Sequence, residues 1–171
     1  MTLDELKKFC AAEDEIRLYL QSPFSKGEWT YATDGRIAAR IPKVDGVGAR
    51  DKLHVIEELF ANTLDAWVPV PAVIIRPDVN CEDCGGKKII REECNLGHMH
   101  EEACLNCNNN GMRSGYDFME HKTMIGNSCF QDRYLAIIQG WEIAVCLDDS
   151  TSVCRIRLGD VYGVLMPIRM K

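Results

Sequence analysis

A cluster of cysteines in the middle of the chain constrains this sequence more than any other feature. Five of its nine cysteines lie within residues 79–115, with Cys129 more distant, and apolar side chains in this segment are too scarce to form a hydrophobic core. Something other than apolar burial must therefore stabilise this segment. The N-terminus lacks the charged and then apolar run of a secretory leader, so we expect a reducing cytoplasm and a bound metal rather than a disulfide framework.

Two C-x-x-C motifs define the expected metal site. Cys81 and Cys84 form the first motif, Cys104 and Cys107 form the second, and nineteen residues separate them. A C-x-x-C turn directs both sulfurs at one centre, and two such turns supply the four thiolates of a tetrahedral Zn²⁺ site. The spacing predicts a zinc ribbon with a single structural Zn²⁺ bound by these four residues.

Three further residues near these motifs carry side chains that zinc accepts, namely Cys94, His98 and His100. Any of them can replace a cysteine or contribute to a second ion. A complete second site needs four ligands, and only these three unassigned residues are nearby, which favours a single site. His98 and His100 are then polar loop residues at the tip of the ribbon.

The same segment contains patterns that occur in enzymes. His100 and Glu102 have the H-x-E form of zinc nucleobase deaminases, in which the glutamate transfers protons beside the metal. The second C-x-x-C begins two residues after Glu102, which is too close for separate helices to converge on an open site. A thioredoxin-like redox motif would need a βαβ unit, which the local sequence does not offer. We therefore expect a protein that is not an enzyme, and a metalloenzyme is the third hypothesis after those given below.

The two ends of the chain repeat one order of elements, a helix followed by three strands. Thr2 and Glu5 have capping-box spacing at the start of a helix predicted over 3–12. Ser128 and Gln131 have the same spacing ahead of a second predicted helix. Alternating apolar residues predict strands at 16–20, 29–33, 37–41, 142–147, 153–158 and 161–166.

The remaining patterns complete the expected organisation. Asp34 and Gly35 predict a two-residue turn between two strands, residues 51–61 predict a helix, and 68–75 predict an edge strand or extended connector. We expect an α+β fold in which both halves share one sheet, with their helices on the same face. The predicted domains are a first part at 1–78, the zinc-ribbon insertion at 79–115 and a second part at 116–171.

The charge balance restricts the partners of this chain. A formal net charge of −6 argues against a surface covered in positive charge for nucleic acid, although a local basic face is compatible with it. No apolar run approaches the roughly 20 residues that span a bilayer, so we expect no transmembrane helix and no membrane partner.

Three stretches of the sequence carry a family resemblance. They are YATDGRIAARIP at 31–42, SCFQDRYLAII at 128–138 and YGVLMPIRM at 162–170. They resemble the ATDGHRLA hairpin, the FNxxYLxxxL helix and the C-terminal YVxMPMRL strand of the bacterial β sliding clamp, the processivity factor of DNA polymerase III. The cysteine-rich segment is similar to the C-x-x-C-x-G-x-G modules of DnaJ-type chaperones. A bacterial clamp subunit carries three such domains, and this chain has room for one. We expect a cytoplasmic protein, located in the host cytoplasm if it is phage-encoded.

The resemblance implies two binding surfaces. In clamps, the TDG turn, the helix tyrosine and the C-terminal strand form an apolar groove for linear peptides from polymerases and repair enzymes. The corresponding residues here are Thr33, Gly35, Arg36, Ile37, Tyr134, Leu165, Met166, Pro167 and Arg169. Clamp helices face double-stranded DNA with basic residues, and the corresponding residues are Lys7, Lys8 and Arg133. The alternatives are that Tyr134 belongs to the core, that Met166 and Pro167 end an edge strand, and that the helices present a solvated face of mixed charge.

The implied function is that of a sliding-clamp-like accessory protein in DNA replication. It would bind DNA, a polymerase or other clamp-binding proteins, would contain a structural zinc module, and would form a homo-oligomer if it closes into a ring. The alternative is an adaptor whose zinc ribbon recognises protein or nucleic acid on a clamp-like scaffold, without a ring.

Overall fold

Apolar and polar residues alternate along both ends of the chain, and most of these segments form strands. The computed structural model describes residues 1–12, 16–50, 54–60, 66–74, 77–107, 112–113, 121–146 and 148–169. The chain divides into two compact units, which are Met1–Ile74 with Lys122–Lys171 and Ile75–His121. Residues 79–115, the expected insertion, belong to the second unit.

The described elements are short and mostly extended. The α-helices are α1 (Leu3–Leu6), α2 (His54–Leu59) and α3 (Asp132–Ile137). The strands are β1 (Phe24–Lys26), β2 (Trp29–Thr33), β3 (Ile37–Pro42), β4 (Trp67–Pro69), β5 (Val79–Asn80), β6 (Ile89–Glu93), β7 (Met99–Ala103), β8 (Met112–Arg113), β9 (Lys122–Ile125), β10 (Ser128–Gln131), β11 (Glu142–Ala144), β12 (Cys154–Leu158) and β13 (Val161–Leu165). Single 3₁₀ turns span Lys7–Phe9, Leu18–Leu20 and Leu105–Cys107.

A seven-stranded antiparallel sheet forms the centre of the larger unit, with the order β1-β2-β3-β13-β12-β11-β4. Three consecutive strands from each end of the chain meet in the middle, where β3 pairs with β13. In this pairing Ile37 lies opposite Leu165, and Arg40 lies opposite Tyr162. The architecture is therefore α+β, as predicted, and is dominated by strands.

The two faces of this sheet are covered by different helices. Leu6 of α1 and Leu135 of α3 pack into one buried cluster with Ile37 and Ala39 of β3. Ala38 lies between those two residues of β3 and packs into a second cluster. Because successive residues of a strand point to opposite faces, α1 and α3 cover one face, as predicted for the helices of the two halves.

The opposite face is covered by α2, within the helix predicted over 51–61. Ile56 and Phe60 pack there against Ala38, Tyr31 and Val164. Residues 51–53 and 61 of that predicted helix lie outside the described residues. None of the described helices has the length and apolar character that a membrane crossing needs.

The strand predicted at 16–20 is wrong. Leu18–Leu20 forms a 3₁₀ turn, and the first strand of the sheet is β1. The alternating apolar residues do not share one buried face. The side chains of Ile16 and Leu18 face solvent, with exposures of 93% and 71%, whereas Leu20 is buried. The alternation in the sequence therefore does not correspond to the two faces of a strand.

The two predicted helices of the halves are shorter than expected. The first has the predicted capping box at Thr2 and Glu5, but after Leu6 it tightens into a 3₁₀ turn. The second begins at Asp132 because Ser128–Gln131 forms β10, which pairs with β9, and Gln131 occupies the N-cap position. The Ser128 cap was therefore a wrong prediction.

The turn between β2 and β3 also differs in register from the prediction. Asp34 pairs with Ile37 through a hydrogen bond from the Asp34 amide to the Ile37 carbonyl, so Gly35 and Arg36 are the central residues of the turn. Gly35 has a φ of 91°, a value that favours glycine. Asp34 has instead an ordinary negative φ and caps the turn with its carboxylate.

Gly163 occupies a crowded position on β13, between β3 and β12. A Cβ at this residue would lie 2.5 Å from the Ala38 carbonyl oxygen and 2.7 Å from Cγ1 of Ile156. Replacing Gly163 with Ala should therefore lower the free energy of unfolding by about 2 kcal/mol, because backbone and core must move apart. Urea unfolding followed by circular dichroism measures this change.

Gly48→Ala is the matched control, because a Cβ at Gly48 has no atom within 4 Å and its φ is not positive. Equal stability of the two variants would contradict close packing of β3, β13 and β12.

Candidate metal centre and apolar cavity

Four cysteines of the smaller unit converge on one point, as their C-x-x-C spacing predicts. Cys81 follows β5 and Cys104 follows β7, while Cys84 lies in the turn before β6 and Cys107 ends a 3₁₀ turn. Their side chains are buried, and the four sulfur atoms all lie within 4.8 Å of one another. These residues can hold a metal ion.

Two of the distances between the sulfurs match those in a tetrahedral site. Cys81 Sγ lies 3.7 Å from Cys104 Sγ, and Cys84 Sγ lies 3.8 Å from Cys107 Sγ. A tetrahedral ion with metal–sulfur bonds of about 2.3 Å needs sulfurs about 3.8 Å apart. Each of these close pairs takes one sulfur from each C-x-x-C motif, so an ion would connect the two motifs.

The surroundings of Cys84 favour the thiolate form that binds metals. Burial raises the pKa of this thiol, but hydrogen bonds from the amides of Lys88 and Gly86 and from the Cys107 thiol lower it, and the balance leaves the pKa at about 7. Lys88 has a φ of 70°, which is uncommon for a residue other than glycine. Its carbonyl accepts a 2.9 Å hydrogen bond from the Cys104 amide, so the turn after the first motif is bonded to the start of the second motif.

The other candidate ligands lie on the hairpin of β6 and β7, which leads from the first motif to the second. Cys94 and His98 close its loop, where the Cys94 amide donates a 2.9 Å hydrogen bond to the His98 carbonyl. His100 lies on β7, opposite Glu92 of β6. The side chains of His100 and Glu102 are both exposed. Among the described residues, the cluster of metal-binding side chains consists of the four cysteines, without Cys94, His98 or His100.

A second candidate site is an apolar cavity of about 180 Å³ in the larger unit. The turn after β2 contributes Thr33, Gly35 and Arg36 to its lining, and Val164 of β13 and Met166 lie next to this turn. The Met166 amide donates a 2.8 Å hydrogen bond to the Arg36 carbonyl, so the C-terminal strand and the turn are joined at the cavity.

The other walls of the cavity come from segments outside the three stretches that carry the resemblance. Ile56 and Leu59 of α2 form one wall, and Arg17, Tyr19 and Leu20 of the segment before β1 form another. Sequence reasoning missed these residues, and it also missed Val164 and Ala38. Alternation along β13 is the signal that could have identified Val164, since it places Val164 and Met166 on one face and Leu165 on the other.

The structure brings together only part of the groove that the resemblance implies. Thr33, Gly35, Arg36, Ile37 and Met166 line the cavity. Leu165 is fully buried in the cluster beneath α1 and α3. Pro167 is half-buried and Arg169 is exposed, and neither is among the described residues that line the cavity.

Tyr134 also belongs to the core beneath α1 and α3 rather than to the cavity lining. Its hydroxyl accepts a 3.0 Å hydrogen bond from Arg133 Nη2. Burial, followed by the nearby Asp34 carboxylate, raises the pKa of Tyr134 to about 12, so the phenol is neutral at physiological pH. Tyr134 is therefore a core residue, which is the alternative given above for this position.

The three cations expected to face DNA are exposed on elements of one sheet face. Lys7 forms a 2.8 Å ion pair with Asp4, and Lys8 follows it in the same 3₁₀ turn. The Arg133 guanidinium lies 4.7 Å from the centre of the Tyr134 ring and donates to Gln131 Oε1.

No protein-family model matches the chain, and no curated protein matches it either.

Removing one buried thiolate tests the metal centre. Cys104→Ser should abolish stoichiometric metal binding and expose the amides of residues 77–107 to rapid hydrogen exchange. The reason is that the binding energy of a structural ion, about 10 kcal/mol, stabilises a segment with little apolar core of its own. Metal analysis and hydrogen-exchange mass spectrometry measure both effects.

Cys94→Ser is the matched control and should retain both the ion and the protection. A Cys104→Ser protein that still holds one ion per chain would contradict the four-cysteine site.

Proposed function

We propose that this protein is a sliding-clamp-like accessory factor of DNA replication that holds linear peptide segments of partner proteins in its apolar cavity. The observation that carries the proposal is the position of the cavity. Two of the three stretches that resemble the clamp, the turn at 33–37 and the C-terminal strand, line it together and are joined through Met166 and Arg36.

The arrangement of the sheet supports the same proposal. Each end of the chain contributes a helical segment and three strands, and the two sets meet at β3 and β13. The helices α1 and α3 pack on the same face. This is the repeated half-domain plan that the resemblance implies.

The chemistry of the cavity suits a peptide. Leu20, Ile56, Leu59 and Val164 give it apolar walls, which accept an apolar side chain of a partner. Met166 lies at the rim with 42% of its surface exposed, and methionine adapts its shape to different ligands. The remaining stretch of the resemblance, at 128–138, contributes to the core rather than to the cavity, since Tyr134 is buried there.

Duplex DNA is the second partner in this proposal. Lys7, Lys8 and Arg133 belong to the elements that cover one face of the sheet. Such a small set of cations gives a weak, sequence-independent attraction to phosphates that salt reduces.

The four-cysteine site is proposed to hold structural zinc. Four thiolates in tetrahedral positions select zinc or iron over calcium and magnesium, which bind oxygen. A closed set of four protein ligands leaves no position for a substrate, which is typical of a structural ion.

Elemental analysis of protein purified from cells with ample zinc should give about one zinc per chain. Iron at the same stoichiometry would contradict the zinc assignment but leave the four-thiolate site intact. A value near two would require ligands beyond the four cysteines.

A phage-displayed library of random short peptides tests the cavity. Selection on the immobilised protein should enrich peptides with a large apolar side chain. Met166→Glu should weaken their binding at least about tenfold, because it puts a carboxylate at the apolar wall. Fluorescence anisotropy of labelled, selected peptides measures the affinity.

Met124→Glu is the matched control, since Met124 is exposed on β9 and is not among the cavity lining. Peptides that bind the Met166→Glu protein as tightly as the unchanged protein would contradict the proposal. They would favour the adaptor alternative, in which the smaller unit, with Leu96 and Leu105 more than 80% exposed, carries the binding surface.

A further inference from the structure

The hairpin of β6 and β7 pairs its strands in one continuous register. The Cys94 amide donates a hydrogen bond to the His98 carbonyl near the loop, and the Cys104 amide donates one to the Lys88 carbonyl at the open end. Residues that bond across an antiparallel pair alternate with residues whose amides and carbonyls point away from it. The even-numbered residues of β6 therefore bond to β7, and its odd-numbered residues point outwards.

The outer edge of β6 consists of the amides and carbonyls of Ile89, Arg91 and Glu93. Among the described residues, β6 and β7 form a sheet of two strands, and no further strand pairs with this edge. Both edges of the seven-stranded sheet are protected, because residues 48–50 bond to β1 and because β4 contains Pro69, which has no amide hydrogen. The described part of β6 has neither device, so its edge can accept a further strand.

A cavity of about 610 Å³ lies beside β6. Its lining includes Ile89 and Ile90, two successive strand residues that point to opposite faces of the hairpin. A cavity lined by both of them lies along the edge of the strand rather than over one face. Cys84 and Lys87 of the preceding turn form its other wall. An extended chain that pairs with β6 therefore has space for a side chain between the strand and this turn.

The hairpin gains little stability from its own packing. Ile90 packs against the four cysteines, but Ile89, Met99 and Leu96 are 36%, 60% and 81% exposed. A hairpin of two strands is only marginally stable alone, and a third strand adds backbone hydrogen bonds and covers apolar surface. An added strand would therefore stabilise the hairpin as well as bind to it.

Charge selects the occupant of this edge. The two strands contain four glutamates and one arginine. Arg91 is paired with Glu101 at 2.7 Å, whereas Glu92, Glu93 and Glu102 are exposed. Two copies of this acidic hairpin repel each other, and so does an acidic partner. A strand that carries lysine or arginine instead places opposite charges beside Glu92 and Glu93, which favours cross-strand pairing.

We propose that the outer edge of β6 receives an extended basic segment of a partner protein as a third strand. The backbone of the segment bonds to Ile89, Arg91 and Glu93. An apolar side chain of the segment enters the cavity beside Ile89, and its lysine or arginine side chains lie near Glu92 and Glu93. This surface shares no residue with the apolar cavity of the larger unit, so the inference goes beyond the proposed function.

A phage-displayed library of random peptides, selected on the immobilised Met166→Glu protein, tests this surface. The substitution puts a carboxylate into the apolar cavity of the larger unit, so peptides of that cavity should be lost from the selection. Enriched peptides should carry a lysine or arginine about two to four positions from a large apolar residue, as the spacing along β6 requires. These peptides should be sensitive to changes in β6 rather than to Met166→Glu, which separates the two sets.

N-methylation of synthetic copies tests the backbone pairing directly. In an added strand, every second amide bonds to β6 and the others point away. Methylating one alternate set of amides should therefore abolish binding, and methylating the other set should leave it unchanged. Fluorescence anisotropy of the labelled peptides measures both affinities.

Arg91→Pro removes one outward amide of β6. It should weaken binding of the selected peptides at least about tenfold, because a carbonyl of the peptide loses its donor and the proline ring obstructs the edge. Glu101→Pro is the matched control, because Glu101 lies opposite Arg91 and belongs to the same ion pair, but its outward amide is on β7. It should keep the affinity within about twofold, since an exposed ion pair contributes little. Charge alone would give the reverse order, because Arg91→Pro makes the hairpin more acidic.

Four results would overturn the inference. They are a selection that enriches no basic peptides, equal effects of the two N-methylated sets, equal affinity of the Arg91→Pro and Glu101→Pro proteins, and a dimer of the unchanged protein that Arg91→Pro dissociates. The last result, measured by analytical ultracentrifugation, would assign the edge to a second copy of the chain. None of them bears on peptides whose binding depends on Met166, so a failure here is distinguishable from a failure of the proposed function.

Discussion

The backbone pairing of β3 with β13 is the contact on which the larger unit depends. It joins the first strands of the chain to the last ones, and it closes a loop of more than a hundred residues at an entropic cost that grows only slowly with length. The same pairing carries Val164 and Met166 to the turn at Gly35 and Arg36, so the cavity exists because the two ends of the sequence meet in this register. Gly163 is small at the place where this meeting is tightest.

Features that depend on local spacing could be predicted from the sequence. The C-x-x-C spacing brings Cys81 and Cys84 together within one turn, and the same holds for Cys104 and Cys107. Little knowledge of the fold was therefore needed to predict a site that contains both motifs. Alternation of apolar residues along the strands predicted the two halves of the sheet and the hairpin of β2 and β3. The failures were local ambiguities: Ile16 and Leu18 alternate in exposure without forming a strand, and β10 occupies the place predicted for a helix start.

Features that depend on packing between distant segments could not be predicted in the same way. Alternation along β13 places Val164 and Leu165 on opposite faces, but the packing of α2 and of α1 and α3 on those faces decides that Val164 lines the cavity and Leu165 lies in the core. The contributions of Arg17 and Leu59 arise because segments far apart in sequence fold over the same sheet face. Tyr134 matches its family counterpart in sequence but packs in the buried cluster between α3, to which it belongs, and the sheet.

The walls of the cavity differ in how firmly they are fixed. The sheet wall is set by the hydrogen bonds of β3 and β13, whereas the helical wall is α2, a single element of six residues. A helix of that length is unstable alone and is positioned here by the packing of Ile56 and the adjoining Phe60. We therefore expect a bulkier side chain in the cavity to displace α2 before it disturbs the sheet. One rigid and one adjustable wall give the site tolerance in the size of the group it accepts.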